Sequence, residues 1–285
     1  MTDSLSRRSI LRGTLGAAVA AGVIPATAGI ADAEPDHGRF GLRVPRDKIS
    51  IQLYTLRTLL ATDLEGTLSD LADIGYRKVE LAGLHGRTAV EFRAILKRVG
   101  IHATSSHMGI DGDINQVIAD AKTLGNSRVV VPFVKLPTIA EWQAFTARLE
   151  SAGKVFRKAG LSLGYHNHNH EFIPIDGVLP YDVITRGTTA RNVHLEVDLY
   201  WAVTGGADPV KLFWANFPRV RQFHVKDRAA DGSFADLGTG TIDFRRIFRG
   251  TFIHPVDEYI VEHDQPTDPL HTALVGYQYL ANLRF

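Results

Sequence analysis

"LSLGYHNHNHEF" (Leu161–Phe172) starts as a strand and ends in a crowd of ligand chemistry: Tyr165–Phe172 alone hold three histidines, two asparagines and a glutamate. An apolar core cannot take in that many polar groups without a partner for each. Alternation puts Leu161, Leu163 and Tyr165 on one face and Gly164, His166 and His168 on the other. Glu171 follows where the strand gives way to loop. If the strand belongs to a barrel of parallel strands, His166 and His168 face its mouth.

The rest of the chain supplies such a barrel. Seven further short runs, each bounded by glycine, proline or polar residues, read as strands: 49–54, 78–83, 102–107, 128–133, 193–198, 221–227 and 258–264. Helical patterns separate them. Leu64, Leu68, Leu71 and Ile74 form one stripe ending at Gly75, and Thr88 with Glu91 three residues on reads as a capping box. Gly75, Gly100, Gly125 and Gly160 stand where C-cap glycines belong. Eight strand–helix units in about 250 residues predict a single (β/α)8 TIM barrel, α/β in class, over residues 48–285. A doubly wound open sheet is the alternative; no Gly-x-Gly-x-x-Gly follows the first strand to support dinucleotide binding.

Chemistry in such barrels sits at the C-terminal ends of the strands. Here those ends carry Glu80, His107, the His166/His168 stretch, Asp198, His224 with Lys226, and Glu262 followed by His263 and Asp264. The strand starts are mostly apolar. Carboxylates and imidazoles without sulfur suit one divalent ion, Mn, Co, Mg or Zn. Each residue also has a plainer reading: His224 as a hydrogen-bonded core histidine, Asp198 as a helix cap, Glu262 as the partner of Lys226, Trp201 as barrel packing.

The chain has 285 residues and no cysteine, which excludes disulfides, thiolate metal sites and cysteine nucleophiles. Residues 1–33 resemble a twin-arginine export signal. Arg7 and Arg8 stand in "SRRSILRG", an Ala/Gly-rich stretch follows, and "ADA" (31–33) ends it as a cleavage site. This predicts engagement with the twin-arginine export machinery, a periplasmic or secreted mature protein, and a polar linker over 34–47. No 18-residue apolar run follows residue 33, so no membrane span is expected in the mature form. Without residues 1–33, which hold three Arg and two Asp, 29 basic and 29 acidic residues remain. That balance argues against nucleic acid as a partner. The last helix carries aromatics that pack either on the barrel or on a second subunit.

"IQLYTLR", "GYRKVELAG", "SSHMG", "YHNHNHEF", "LEVDLYWA", "FHVKD" and "VEHDQP" together resemble the xylose-isomerase-like sugar isomerases and epimerases of the AP endonuclease 2 superfamily. The resemblance covers about residues 48–285. It implies one divalent ion held by Glu171, Asp198, His224 and Glu262, with Glu171 the least secure, because epimerases of the group carry that glutamate where this chain has His166. It further implies proton abstraction beside a sugar carbonyl through a metal-bound enediolate. Glu171 and Glu262 would trade the proton, helped by His166 and His168, with Glu80, His107, Trp201 and Lys226 on the substrate. Export and the lack of a phosphate loop point to an unphosphorylated keto-sugar or derivative as the small-molecule carbohydrate. A lyase or dehydratase acting on an inosose or 3-keto-glycoside is the rival, and the surplus histidines suit it. A non-catalytic periplasmic sugar-binding barrel is the third possibility.

Overall fold

β-Branched and aromatic runs become strands here because each is walled in on both faces, by the barrel interior and by a helix. The computed structural model describes residues 41–285. Its strands are β1 (Ile49–Gln52), β2 (Lys78–Leu81), β3 (His102–His107), β4 (Arg128–Val131), β5 (Ser162–His166), β6 (Val193–Asp198), β7 (Val220–Val225), a small hairpin of β8 (Asp227–Arg228) and β9 (Phe234–Ala235), and β10 (Glu258–Val261). The eight parallel strands close in the order β1-β10-β7-β6-β5-β4-β3-β2. Direct pairing of β1 with β10, Ile49 opposite Tyr259, makes this a (β/α)8 barrel and rules out the open sheet. Several strands stop earlier than their sequence patterns suggest. After β1, for example, Leu53–Leu56 turn into a 3-10 helix on the Gln52 side chain, which accepts from the Tyr54 N–H at 3.1 Å.

The helices form where the periodicity places them. Leu64, Leu68 and Leu71 bury one face of the helix Leu64–Ile74. The Thr88–Glu91 capping box is present, and Thr138 with Glu141 makes a second one. The C-terminal helix Pro269–Asn282 packs on the barrel: the Tyr76 hydroxyl donates to the Ala273 carbonyl at 2.9 Å, and Tyr277 meets Tyr76 edge to face. Residues ahead of position 48 also join the body. Leu42 and Phe285 exchange backbone hydrogen bonds of 3.0 and 3.1 Å, and Val44 is buried. The expected export signal (1–33) and the first part of the linker lie outside the described residues. Among the described residues, no helix is long and apolar enough to cross a membrane.

The barrel interior is polar, and a run of its groups is paired below the mouth. Gly164 leaves space for the His194 ring, whose atoms a Cβ at position 164 would overlap. His194 meets Ser162 at 2.8 Å and Gln222 at 3.3 Å. Gln222 donates to Ser105 at 3.1 Å, and Ser105 donates to Glu80 at 2.6 Å. This chain of hydrogen bonds forms a firm floor beneath the barrel mouth.

Candidate metal centre and substrate cavity

Strand β6 is the backbone of the site. Its inward residues Glu196 and Asp198 follow the two-residue period, and both are fully buried. Asp198 serves two purposes, one per oxygen. Its Oδ1 accepts from the Trp201 N–H at 2.8 Å and caps the helix Leu199–Thr204; Oδ2 points the other way. Register then brings His224 of β7 beside Asp198. Glu262, just past β10, places Oε2 2.6 Å from His224 Nδ1. Donor atoms of Asp198, His224 and Glu262 all lie within 4.8 Å of one another. Lys226 projects its ammonium among three carboxylates, 3.0 Å from Asp198, 2.7 Å from Glu262 and 2.8 Å from Asp264.

A second group sits directly behind the first. One oxygen of Glu196, Oε1, faces His107 Nε2 at 2.8 Å, His224 Nε2 at 3.0 Å and His166 Nδ1 at 3.1 Å. Glu80 backs it: its Oε1 lies 2.7 Å from His224 Nε2 and accepts from Gln52 at 2.8 Å.

His166 turns inward with its ring in the cluster. Asn167 ties β5 to β6 by accepting from the Asp198 N–H at 3.1 Å. His168 lies in the cavity wall against Phe133 and Trp201, and its Nδ1 has no hydrogen-bond partner. His170 meets the Val134 carbonyl at 2.7 Å. Glu171 lies in a 3-10 turn, fully buried, accepting from the Tyr165 hydroxyl at 2.7 Å and the His168 N–H at 2.9 Å.

The electrostatics follow from burial and from the partners. Burial works against charge on His107, but Glu80 and Glu196 overcome it and lift that imidazole to about 10. Burial pushes Asp198 up to about 6, against Lys226 and His224. Glu262 is buried too, yet Lys226 and His224 hold it well below the usual carboxylate range. Burial and then Lys226 depress His168 to about 3, so its ring is neutral. Glu171, with no cation beside it, rises to about 7 through burial.

A divalent ion fits this donor set. Five buried or nearly buried carboxylates gather here: Asp198, Glu262 and Asp264 around Lys226, and Glu80 and Glu196 against His107 and His224, whose raised imidazoles with the lysine offset three of the five charges. Glu196 Oε2 is buried without a hydrogen bond, and Asp198 Oδ2 has only the Lys226 ammonium, at 3.0 Å. Such a surplus of buried negative charge is costly unless a cation compensates it.

Above the cluster opens a cavity of about 600 Å³. His107, His166, Lys226, Glu262 and Asp264 line its polar depth, and Tyr54, Phe133, Trp201 and Phe234 form an aromatic wall. Of the residues expected at the site, the structure brings His107, His166, His168, Trp201, Lys226 and Glu262 to this cavity, with Asp198 and His224 in the cluster beneath. Glu80, expected on the substrate, lies below the cavity instead and supports the imidazoles. Glu171, expected as a ligand and proton carrier, is in neither donor group, because its turn folds the carboxylate back onto Tyr165. Glu196 and the outer aromatics escaped the sequence reading. For Glu196 one signal was available, its two-residue spacing from Asp198.

Comparisons with known proteins agree with this architecture. The family profile described as "Xylose isomerase-like TIM barrel" matches residues 68–250. An inosose dehydratase of Geobacillus kaustophilus is 26% identical over 219 residues, covering 67% of this chain and 70% of the relative. The rhizopine catabolism protein MocC of Rhizobium meliloti is 24% identical, covering 78% and 82%. Among solved structures, a sugar phosphate isomerase/epimerase from Parabacteroides distasonis superposes with a TM-score of 0.73 at 25% identity, covering 82% of this chain and 98% of the other.

Proposed function

Because the chain belongs to the xylose isomerase-like TIM-barrel family, we propose that it is a metal-dependent enzyme that removes a proton beside the carbonyl of an unphosphorylated keto-sugar or cyclic keto-polyol and then expels the β-substituent. The observation that carries this reading is the pairing of Glu262 with a neutral, unpartnered His168 on one cavity, while Glu171 is sealed away. Asp198, His224 and Glu262 would hold the divalent ion. Bound there, the ion would act as a Lewis acid toward the carbonyl and its neighbouring hydroxyl.

The chain's own groups divide the remaining work. Glu262 reaches the cavity from β10 and accepts the proton from carbon. His168 follows β5, with β7 and β6 between it and β10 in the barrel order, so substrate lies between acid and base. A neutral imidazole carries one N–H, and His168 gives it to the departing oxygen as the C–O bond breaks, while the proton that Glu262 took from carbon passes back to the imidazole, so that both groups end as they began. When that substituent is hydroxyl, the products are the unsaturated ketone and water. Trp201 and Phe133 hold the His168 ring in place, and Trp201 offers a face to a sugar ring.

An unphosphorylated substrate is supported by the fate of the cations. Lys226 is committed to three carboxylates, and Arg57, at the cavity edge, donates to the Tyr54 and Asp264 carbonyls at 2.8 and 2.7 Å. The inosose dehydratase similarity favours elimination. Epimerisation or isomerisation is the second reading, favoured by Asp264, a second cavity carboxylate that burial keeps toward its protonated form and that is placed to return a proton. A purely sugar-binding role leaves the buried carboxylates without purpose.

The test is incubation with an inosose and with 3-keto-glucose in D2O with Mn²⁺ present, followed by mass spectrometry. Loss of water from either compound is the expected result. Deuterium uptake without loss of water selects the second reading, and no change in either compound overturns both.

A further inference from the structure

Two imidazoles in the cluster each have one nitrogen toward the carboxylates of the mouth and the other toward Glu196. His224 presents Nδ1 to Glu262 at 2.6 Å, and its Nε2 lies 2.7 Å from Glu80 and 3.0 Å from Glu196. His166 presents Nε2 toward Asp198 Oδ2 at 3.7 Å, and its Nδ1 meets Glu196 at 3.1 Å. Glu196 is thus the one carboxylate that touches the rear nitrogen of both rings. A carboxylate can only accept, so it fixes the proton at His166 Nδ1 and helps fix it at His224 Nε2. The lone pair left on His166 Nε2 lies on the Asp198 side, whereas His224 Nδ1 hydrogen-bonds the Glu262 carboxylate, and an ion bound between Asp198 and Glu262 would take the place of the proton held there.

We propose that Glu196 is a positioning residue that sets the tautomers of His166 and His224, and that β5 supplies its metal donor as His166 Nε2 rather than as Glu171. The donor set is then two imidazoles and two carboxylates, His166, Asp198, His224 and Glu262. This rests on the metal-dependent reading above and changes which residues complete it. The chemistry is that of a ring N–H held by a carboxylate behind a metal-bound histidine, which orients the ring and strengthens its other nitrogen as a donor. Glu171 has no comparable freedom, since Tyr165 and the His168 backbone occupy its two oxygens. Glu80 is less adaptable than Glu196 for the same reason: Gln52 and Ser105 already hold its oxygens.

The experiment uses the full chain and Mn²⁺ alone. Binding is followed by calorimetry, and nitrogen ligands are counted by electron spin-echo envelope modulation. Two imidazole nitrogens are expected in the wild type and one in His166→Gln, with Glu171→Gln unchanged in count. Glu196→Gln should bind Mn²⁺ about 10- to 100-fold more weakly while keeping its circular dichroism and melting profile. Nitrogen-15 correlation spectra of the wild type with Mg²⁺ read the tautomers directly and do not depend on how any variant folds; His166 should carry its proton at Nδ1. A single nitrogen in the wild type, or loss of binding in Glu171→Gln with none in His166→Gln, overturns the inference and leaves the proposed reaction standing. Failure of the wild type to bind Mn²⁺ overturns both.

Discussion

Glu171 shows at the residue scale how much a side chain's value depends on its last bond rotation. Its carboxyl is buried with no cation beside it, and burial raises it from 4.5 to about 7. In the unfolded chain the same group ionises near its ordinary value. The folded state therefore keeps its proton over a window where the unfolded state has lost it, and stability drains away between about pH 4.5 and pH 7. Glu171→Gln removes that dependence. Urea titrations at pH 5 and pH 8 should show the variant gaining on the wild type by on the order of 1–3 kcal/mol across the window. An unchanged difference between the two proteins would count against a buried, proton-holding Glu171. Asp198 carries a different expectation, because one oxygen caps a helix and the other faces the site. Asp198→Asn keeps a capping oxygen, so its melting temperature without metal should stay close to the wild type. Mn²⁺ affinity measured by calorimetry should fall at least tenfold, about 1.4 kcal/mol. Equal affinity would remove Asp198 from the donor set.

At the scale of the element, β5 and β6 act as one unit. Gly164 on β5 faces His194 on β6, and the ring occupies the volume a side chain at 164 would need. Gly164→Ala should cost about 1–3 kcal/mol through overpacking, read from chemical denaturation. His194→Ala in the same chain should recover part of that loss, since the two positions share one space. Strict additivity would show that the ring is not what the alanine meets. Higher on the same pair, Asn167 binds the backbone of Asp198 and fixes the relative height of the two strand exits. The unusual polarity of the strand 5 exit is in this sense mostly scaffolding. Only His166 and His168 of the three histidines reach the cavity; His170 secures the Val134 carbonyl instead.

For the whole molecule, the charge surplus at the barrel mouth would link folding to the proposed ion. Whatever binds the folded state alone stabilises it in proportion to its saturation, about 2.7 kcal/mol at a hundredfold excess over Kd. Adding Mn²⁺ to chelator-treated protein should raise the melting temperature by several degrees. Asp198→Asn should abolish most of the rise. A melting temperature indifferent to both metal and chelator would contradict a cation in this cluster.

The sequence by itself determined the barrel, the face of strand 5 on which His166 and His168 stand, and the strand ends that carry Asp198, His224 and Glu262. These follow from local rules: a two-residue period assigns a side chain to a face, and helix caps and glycines mark where each unit ends. It also made visible that ionisable residues gather at one end of the strands. What only the tertiary structure decided is which of them meet. Glu196 becomes a hub through His107, 89 residues away, and through His166 and His224 on the flanking strands, and that meeting is set by the register of β5, β6 and β7. Glu171 leaves the site through a three-residue 3-10 turn, which no period in the sequence announces. Periodicity is a property of neighbours along the chain, whereas the pairing of buried charges depends on how far each strand is staggered against the next.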